Sequence, residues 1–469
     1  MAIFLLSILF VVGTCFLGYN IIFLFDRRNI FNLSERLGLS YLFGIAAVSL
    51  EMFILGIFKV RFAASIVLIV WLPVFILNFI LYRGRRISQP FKKASSQRFS
   101  IFEKSVFSFL SFEVIYTFFR ALMKPVESYD SVAIWSLKAK VLYLAKTVPN
   151  DFFHMIDMAF HGIHPDYPLL VPFSEVWFYT FINGFNDYLV KMIFPLNLLA
   201  FLLVFYGVLK KATANRPAAL LAVFFLASIK QFNDYATDGT ADLQMAIYAT
   251  LTFVFLYMWV KTKDMPYFTA CVISCIFSLW TKNEGSLVFM ITIALLTILI
   301  VTKRRAGEAR TDEFRFFMYA LLILSVSFAA WSIFKAHLGL ENDVININTF
   351  KKLDLAAIYK RIIPIAYEYQ RHIFGFKKWN LIWIASLYCF AVRYRSLSFK
   401  RYGFIAIPAL ILLSAYTVIY LITPHDIKWH LSTSASRLLI HILPLFVFFT
   451  TLNAWDMYNE KEKSRCAAS

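Results

Sequence analysis

The chain has 469 residues, of which 60% are hydrophobic and 52 are phenylalanine. Soluble domains are only about 45–50% apolar even when glycine is counted, so this composition excludes an ordinary soluble protein and indicates an integral membrane protein. The formal net charge of +19 does not indicate a nucleic-acid partner, because the basic residues fall mainly in short loops on one predicted membrane face.

About thirteen apolar runs are long enough to cross a hydrocarbon layer, so the sequence predicts an all-α polytopic membrane protein. We expect one membrane domain over 1–469, with the first run retained because no Lys or Arg precedes it and it is too long for a signal peptide. The predicted spans are 3–25, 38–57, 61–82, 101–120, 187–209, 217–232, 241–260, 266–281, 285–302, 314–338, 379–396, 403–423 and 438–455.

Positive charge predicts the orientation of these spans. The strongest basic run, YRGRRISQPFKKASSQR, follows the third span and marks the cytoplasmic side of a bacterial inner membrane. Counting spans from this run places the amino terminus outside and the carboxyl terminus inside. The predicted extracytoplasmic segments, in which we expect short juxtamembrane helices, are 121–186, 231–240, 282–284, 339–378 and 424–437. The segment 339–378 is basic although it faces outside, so orientation does not explain its charge.

The first large outside loop, 121–186, carries two polar motifs. Asp130 precedes a helical pattern in SYDSVAIWSLKAKVLYLAK, where a carboxylate either caps the helix or faces the membrane surface. Further on, HPDYP (His164 to Pro168) favours an extended approach to a surface helix, and a purely structural turn is the alternative interpretation. His161, just before this motif, is interpreted as part of a solvated face.

Two outside segments place ionisable groups beside apolar helices. FNDYATDGTADLQMA contributes Asp238 and Asp242, four residues apart and on one helix side if the helix starts early, with capping and metal binding both open. WTKNEGSL places Lys282 and Glu284 in a short turn between two spans, where charged groups are more often functional than in a long loop.

The segment before the last span, PHDIKWHLSTSASRLLIHILP, is also polar. Arg437 and His441 lie one turn apart there, and Trp429 precedes them. An arginine in this position either snorkels to the interface or holds a phosphate bidentately. No segment has the spacing of a zinc site or a P-loop, so the indication of a site is the convergence of these motifs on one predicted face.

On the Asp130 and His164-Pro165 motifs, the chain resembles the GT-C superfamily of membrane glycosyltransferases. The likeness is to protein O-mannosyltransferases, aminoarabinose-lipid A transferases and bacterial GT-C-like proteins without assigned substrates, and it covers mainly 121–200. Those enzymes carry an acidic motif early in the first outside loop and a His/Lys-Pro-Pro motif later in it. Here Ser131 follows the acidic residue where mannosyltransferases usually have Glu, and Asp166 stands in place of the second proline.

The resemblance implies a GT-C-like fold and a glycosyltransferase that uses a polyprenyl-phosphate sugar, with an envelope glycan, lipid or protein as extracytoplasmic acceptor. An inverting transfer needs a base for the acceptor hydroxyl and positive charge for the leaving phosphate. The candidate assignments are Asp130, Asp166 and His164 as catalytic; Arg437, Lys282, Arg371 and His441 for the phosphate; and Asp238, Glu284, Tyr129 and Trp429 for sugar or acceptor. A divalent cation, Mg²⁺ or Mn²⁺, held by Asp130 and Asp166 is a further expectation.

Two other functional classes stay open. A flippase or transporter of lipid-linked sugars would place ionisable residues near the bilayer midplane, and Glu51 is the main residue of this kind. A surface-polysaccharide polymerase or ligase would favour outside arginines and histidines such as Arg371, His372, Arg437 and His441 over the early aspartate.

Overall fold

The computed structural model of the chain describes residues 2–83, 98–159, 163–307, 311–344, 346, 349, 355–393 and 402–468. Over these residues every regular element is a helix, as the sequence predicts. The described residues cluster into two compact units. Unit 1 draws on Met1–Ile163, Leu169–Ser228 and Phe232–Ala241, and unit 2 on His164–Pro168, Ile229–Gln231 and Asp242–Ser469. The expectation of one domain over 1–469 stays a prediction.

Unit 1 is built from helices of very different lengths. They are α1 (Ala2–Phe25), α2 (Leu33–Ile57), α3 (Ala64–Val70), α4 (Leu72–Arg83), α5 (Ile101–Leu122), α6 (Leu137–Ala145), α7 (Phe152–Ala159), α8 (Leu170–Ile182), α9 (Ile193–Thr213), α10 (Arg216–Ala227) and α11 (Lys230–Asp238), the last beginning in unit 2. A π-helical turn, Ser131–Ser136, leads into α6, and a 3-10 turn, Leu189–Met192, leads into α9.

Helices α1 and α2 pack closely because glycines let their backbones meet. A Cβ added to Gly18 would come within 1.9 Å of the Ser40 carbonyl oxygen, and one added to Gly44 within 2.0 Å of the Thr14 carbonyl oxygen. Small residues at helix contacts are a general means of packing helices in membranes. This contact therefore sets the spacing of the α1–α2 pair.

Ion pairs join several helix ends of unit 1. Arg36 pairs with Asp26 at 2.8 Å, Lys211 with Glu35 at 2.5 Å and Arg216 with Glu103 at 2.5 Å. The second pair links the start of α2 to the end of α9, and the third links the starts of α5 and α10. All of these helix ends lie in segments that the charge pattern assigns to the cytoplasmic side, although the orientation itself stays a prediction.

Unit 2 contains the remaining helices. They are α12 (Asp242–Thr262), α13 (Met265–Thr281), α14 (Gly285–Arg305), α15 (Thr311–His337), α16 (Leu355–Ile373), α17 (Phe376–Trp379), α18 (Ile382–Arg393), α19 (Phe404–Ile422) and α20 (Ile427–Ala468). Helix α12 is central, since it contacts α13, α14, α19 and α20 and its most apolar stretch is 94% buried. A span surrounded by protein in this way can carry polar groups at its end without exposing them to lipid.

Each of the thirteen predicted spans overlaps a helix within the described residues, but not all of these helices are long. Within the described ranges, nine helices are long and apolar enough to cross a membrane, or ten if α3 and α4, bent by 43° at their junction, form one span. The predicted spans 217–232, 266–281 and 379–396 correspond to α10, α13 and α18, which are shorter apolar helices of 12, 17 and 12 residues. The protein is thus an all-α chain suited to several membrane crossings, while thirteen spans and a GT-C fold stay predictions.

Four of the five predicted outside segments contain helix in the described ranges: 231–240 contains most of α11, 424–437 contains the start of α20, and the two longest segments contain several elements. The segment 121–186 contains the π-helical turn and α6, α7 and α8, and the segment 339–378 contains α16. Parts of the second segment, 345, 347–348 and 350–354, lie outside the described residues, as does His161. The HPDYP motif itself clusters with unit 2 although the chain on both sides of it belongs to unit 1.

Candidate functional site

The candidate site lies in unit 2, where several helices begin or end. Asp242 is the first residue of α12, Lys282 follows α13 directly, and His441 lies one turn beyond Arg437 on α20. Helix α20 begins at Ile427, eleven residues before the predicted last span at 438. Arg437 and His441 therefore project from a continuous helix rather than from a loop.

Asp242 is the hub of this site. Its Oδ1 lies 2.9 Å from Lys282 Nζ and 3.1 Å from His441 Nε2, while its Oδ2 accepts a hydrogen bond from Arg437 Nε at 3.2 Å. The carboxylate is 0% exposed. Because an ionised carboxylate only accepts hydrogen bonds, it orients all three donors towards itself. We call Asp242, Lys282, Glu284, Arg437 and His441 the Asp242 cluster.

Glu284 gives Lys282 a second carboxylate partner. The Lys282 ammonium lies 3.0 Å from Glu284 Oε1 and is 3% exposed. Burial opposes ionisation of Glu284, but nearby positive charge, chiefly that of Lys282, and the hydrogen bonds to the carboxylate together outweigh burial and hold the pKa of Glu284 below its ordinary value. With His441 neutral, the two cations and two carboxylates of the cluster balance to zero charge. Any stabilisation of an anionic ligand here would come from fixed N–H donors rather than from net charge.

His441 connects Asp242 to a tyrosine. Its Nδ1 lies 3.2 Å from the Tyr416 hydroxyl, while its Nε2 faces Asp242. The acceptor-only carboxylate fixes the tautomer of a neutral imidazole, with Nε2–H donating to Asp242 and Nδ1 accepting from Tyr416. Since both rings are buried, this chain of groups holds the imidazole in one orientation.

The second part of the site surrounds Asp166 from the HPDYP motif. Its Oδ2 accepts hydrogen bonds from Asn283 Nδ2 at 2.5 Å and from Asn342 Nδ2 at 3.1 Å. Asn283 in turn accepts a hydrogen bond from Lys335 Nζ at 3.3 Å. Asp166 is 1% exposed, so two amide donors stabilise a carboxylate that would otherwise be costly to bury. These four residues form the Asp166 cluster, which adjoins the Asp242 cluster through consecutive residues 282 and 283.

His164 and Tyr167 complete the motif. Their rings stack with centroids 4.6 Å apart and an interplanar angle of 10°, and Lys282 Nζ lies 5.9 Å from the Tyr167 ring centroid. Burial, reinforced by the charge of Glu284, raises the pKa of Tyr167 well above its ordinary value, so the phenol is neutral. His164 has a left-handed backbone with φ of 52° and its Nδ1 lies 3.8 Å from Asp343 Oδ1.

Unit 2 also contains an apolar pocket of about 300 Å³, which is lined in part by α20, the helix that carries Arg437 and His441. It is lined by side chains of α16, α18, α19 and α20, among them Tyr369, Trp383, Phe390 and Leu413. Among its lining residues, Tyr369, His372 and Ser386 carry polar side-chain atoms. The pocket therefore suits a hydrocarbon chain better than a polar ligand.

The place of Asp130, Tyr129 and Asp238 in the site stays a prediction, and Arg371 and Trp429 contact residues outside the two clusters. Asp130, Tyr129 and Asp238 belong to unit 1, whereas both clusters belong to unit 2. Arg371 pairs at 2.7 Å with Glu368 on its own helix. Trp429 is 56% exposed and packs on His425 with ring centroids 5.4 Å apart. Lys282, Glu284, Arg437 and His441, by contrast, contact one another or share Asp242.

Two alternatives that the sequence left open are not found in the structure. Asp130 makes no capping hydrogen bond, because the helical backbone already includes it and the Ser131 N–H reaches the Ser128 hydroxyl at 3.4 Å instead. Asp238 and Asp242 do not share a helix, since α11 ends at Asp238 before α12 begins. Gly239, between these helices, has a left-handed φ of 89°, which interrupts the helix at little cost only for glycine.

Sequence reasoning named Asp242 but did not recognise it as the hub. The available signal was an acidic residue at the first position of a long apolar helix, where the helix dipole favours a carboxylate. Asn342 and Asp343 were missed because an asparagine-rich loop resembles ordinary turn chemistry. Tyr416 was missed because nothing in an apolar span distinguishes a tyrosine that meets His441 from one that only packs.

The groups around Asp166 do not suit the expected divalent cation, which stays a prediction. Among the described residues, no group of three or more His, Cys, Asp or Glu side chains has an arrangement that could hold a metal ion. The neighbours of Asp166 Oδ2 are amide N–H donors, which repel a cation rather than share it. We therefore derive no step that uses a metal.

In comparisons with known proteins, no protein-family model and no curated protein matches this chain. The resemblance to GT-C glycosyltransferases consequently rests on sequence motifs alone.

Proposed function

We propose that the protein is an integral membrane glycosyltransferase of GT-C type that transfers a sugar from a polyprenyl-phosphate donor to an extracytoplasmic acceptor. The observation that carries the proposal is the convergence of Lys282, Arg437 and His441 on Asp242. Sequence reasoning had selected those three residues for the donor phosphate independently of their contacts. A buried carboxylate that holds them together is the kind of fixed donor arrangement that a leaving phosphate requires.

In this proposal the acceptor hydroxyl oxygen attacks the anomeric carbon and forms the new glycosidic bond. The bond from that carbon to the phosphate oxygen breaks, and its electron pair leaves with the polyprenyl phosphate. The hydroxyl proton goes to a carboxylate base, for which Asp130 is the candidate. Lys282 and Arg437 donate hydrogen bonds to the departing phosphate, and Asp242 keeps both cations in position.

The Asp166 cluster has a positioning role in the proposal. Asp166 Oδ2 already accepts two amide hydrogen bonds, so Asn283 and Asn342 hold the carboxylate in a fixed position. The stacked His164 and Tyr167 rings present an aromatic surface of the kind that packs against sugar rings. The apolar pocket supports the lipid part of the donor, since it offers hydrocarbon-lined space in the same unit.

The experiment uses the purified protein in lipid nanodiscs with polyprenyl-phosphate sugars and an extract of cell-envelope acceptors. Transfer of labelled sugar by the parent is compared with transfer by Asp130→Asn. Loss of a catalytic base lowers turnover about 10²- to 10⁴-fold, so we expect a loss in that range. Asp157→Asn is the matched control, because Asp157 is an exposed carboxylate of the same loop.

Full activity of Asp130→Asn would remove that residue as the base but leave the phosphate site standing. Absence of transfer from every polyprenyl-phosphate sugar, with a parent protein that is folded, would contradict the proposed function itself. Equal losses in Asp130→Asn and Asp157→Asn would show that the loop responds to any charge change.

A further inference from the structure

Glu51 lies inside a membrane-spanning helix of unit 1, six residues before the end of α2. At 1.5 Å per residue, this distance corresponds to about 9 Å of helix. Its Oε2 accepts a hydrogen bond from Trp71 Nε1 at 2.6 Å. Its Oε1 is buried and has no hydrogen-bond partner among the residues that the structure describes. One indole donor therefore serves a carboxyl group that can accept several hydrogen bonds.

Trp71 occupies the break between α3 and α4. These two helices satisfy the length and hydropathy of a span only as a pair, and they are bent by 43° at this residue. Broken spans with an ionisable group nearby are a common arrangement at functional sites in membranes. The hydrogen bond to Glu51 thus joins a continuous span to the break in its neighbour.

The elements packed against α2 offer Glu51 no ionic partner in the described structure. Helices α1 and α3 contain no Asp, Glu, Lys or Arg. The ionisable side chains of the other neighbouring segments have partners elsewhere or are exposed. Glu175 of α8 accepts a hydrogen bond from Ser136, Lys211 of α9 contacts Glu35, and Lys59 donates to the Val148 carbonyl. Lys210 of α9 and Arg61 are exposed. The neighbouring titratable side chains without formal charge are Cys15 and Tyr19 of α1, Tyr41 of α2, Tyr179 of α8 and Tyr206 of α9.

A carboxylate with one donor and no counter-ion is far more costly in a membrane interior than the neutral acid. We propose that Glu51 is a proton-binding site within the membrane-spanning part of unit 1, held as the neutral acid against Trp71 at the α3–α4 break. When the proton leaves, the carboxylate requires further hydrogen-bond donors. Water is the available donor, so ionisation hydrates the break. The inference does not rest on the proposed transferase activity.

The experiment records infrared spectra of the full chain in nanodiscs across a pH titration. At neutral pH every variant should keep the carbonyl stretch of buried Glu175, whose pKa burial raises to about 8. The parent should also show the carbonyl stretch of a second protonated carboxylic acid, and Glu51→Gln should lose this second band. Trp71→Phe should shift this band, because the indole hydrogen bond is removed, and that variant keeps the test valid if Glu51→Gln does not fold. Glu113→Gln, which changes a glutamate within α5, is the matched control and should retain the band.

Hydrogen exchange of the amides of 64–83 tests the coupling to the break. In the parent, exchange should rise beyond its intrinsic pH dependence as the acid band disappears, and Glu51→Gln should show only the intrinsic dependence. If Glu51→Gln instead removes a carboxylate band at neutral pH, Glu51 is ionised there and the proposal is overturned. Identical exchange in the parent and Glu51→Gln throughout the titration would overturn the coupling.

Discussion

The Lys282 ammonium lies 2.9 Å from Asp242 Oδ1, although 40 residues and the whole of α13 separate the two residues in the chain. Both side chains are almost fully buried. A buried ion pair contributes little relative to an apolar pair, but removal of one partner leaves an uncompensated charge. The two residues should therefore be strongly coupled in their effect on stability.

Lys282→Met should lower the free energy of unfolding by about 3–5 kcal/mol, because Asp242 then loses its shortest ionic contact. Adding Asp242→Asn should restore part of the loss, giving a coupling free energy above about 1 kcal/mol. Denaturant unfolding of the parent, both single variants and the double variant in detergent measures this coupling. Additive effects, within about 0.5 kcal/mol, would contradict the paired arrangement.

Glu175 should make unit 1 less stable as the pH rises. Burial raises its pKa to about 8 from an ordinary value of 4.5. Between these values the unfolded chain holds fewer protons than the folded one, so stability falls as pH rises through this window and levels off above about pH 8. Glu175→Gln should keep the hydrogen bond from Ser136 and remove this dependence.

Thermal unfolding of the parent and Glu175→Gln, at about pH 5 and about pH 8, measures the effect. The difference in stability between variant and parent should grow by a few kcal/mol over this range. A constant difference would mean that Glu175 does not change its protonation state between these conditions.

Gly44→Ala should disrupt the α1–α2 contact, because the added methyl group would meet the Thr14 carbonyl oxygen at 2.0 Å. We expect a loss of about 1–3 kcal/mol, the usual cost of overpacking. Gly13→Ala is the matched control on α1, since its Cβ would lie 3.4 Å from the nearest atom, a Phe181 ring carbon. Equal stability of the two variants in detergent would contradict the close approach of these helices.

Asn283→Ala should loosen the HPDYP motif, because Asp166 loses its donor at 2.5 Å and Lys335 loses an acceptor. Asn342→Ala removes only the contact at 3.1 Å and should have a smaller effect. Hydrogen exchange of the amides between His164 and Tyr167 measures the change. The prediction fails if Asn342→Ala causes the larger increase, or if neither variant changes exchange.

The positions of the helices could be predicted from sequence because apolar runs are a local signal. Their lengths were harder to predict: α10 ends at Ala227 and α11 begins at Lys230, because Ser228 and Ile229 break a run that the sequence predicts as one span over 217–232. The bend at Trp71 is followed by Pro73, which lacks a backbone N–H and disfavours helix in the preceding turn, but the sequence analysis predicted one span over 61–82.

The candidate site was less predictable because its contacts are not local. Asp242 and His441 are 199 residues apart, and no spacing rule relates an acid at the start of one span to an imidazole in another. Lys282, Arg437 and His441 could be selected one by one as charged groups beside apolar helices. Their common partner could not, because an aspartate at a helix start is most often a cap.

Binding of polyprenyl phosphate, compared with binding of polyprenol, tests the central claim most directly because it requires no knowledge of the sugar or acceptor. The parent should bind the phosphate lipid at least about tenfold more tightly, a difference of about 1.4 kcal/mol. Arg437→Gln should lose most of that preference, while Arg465→Gln, which changes an exposed arginine of the same helix, should keep it. Equal binding of both lipids by the parent, or an unchanged preference in Arg437→Gln, would contradict the assignment of the Asp242 cluster to a lipid-linked phosphate.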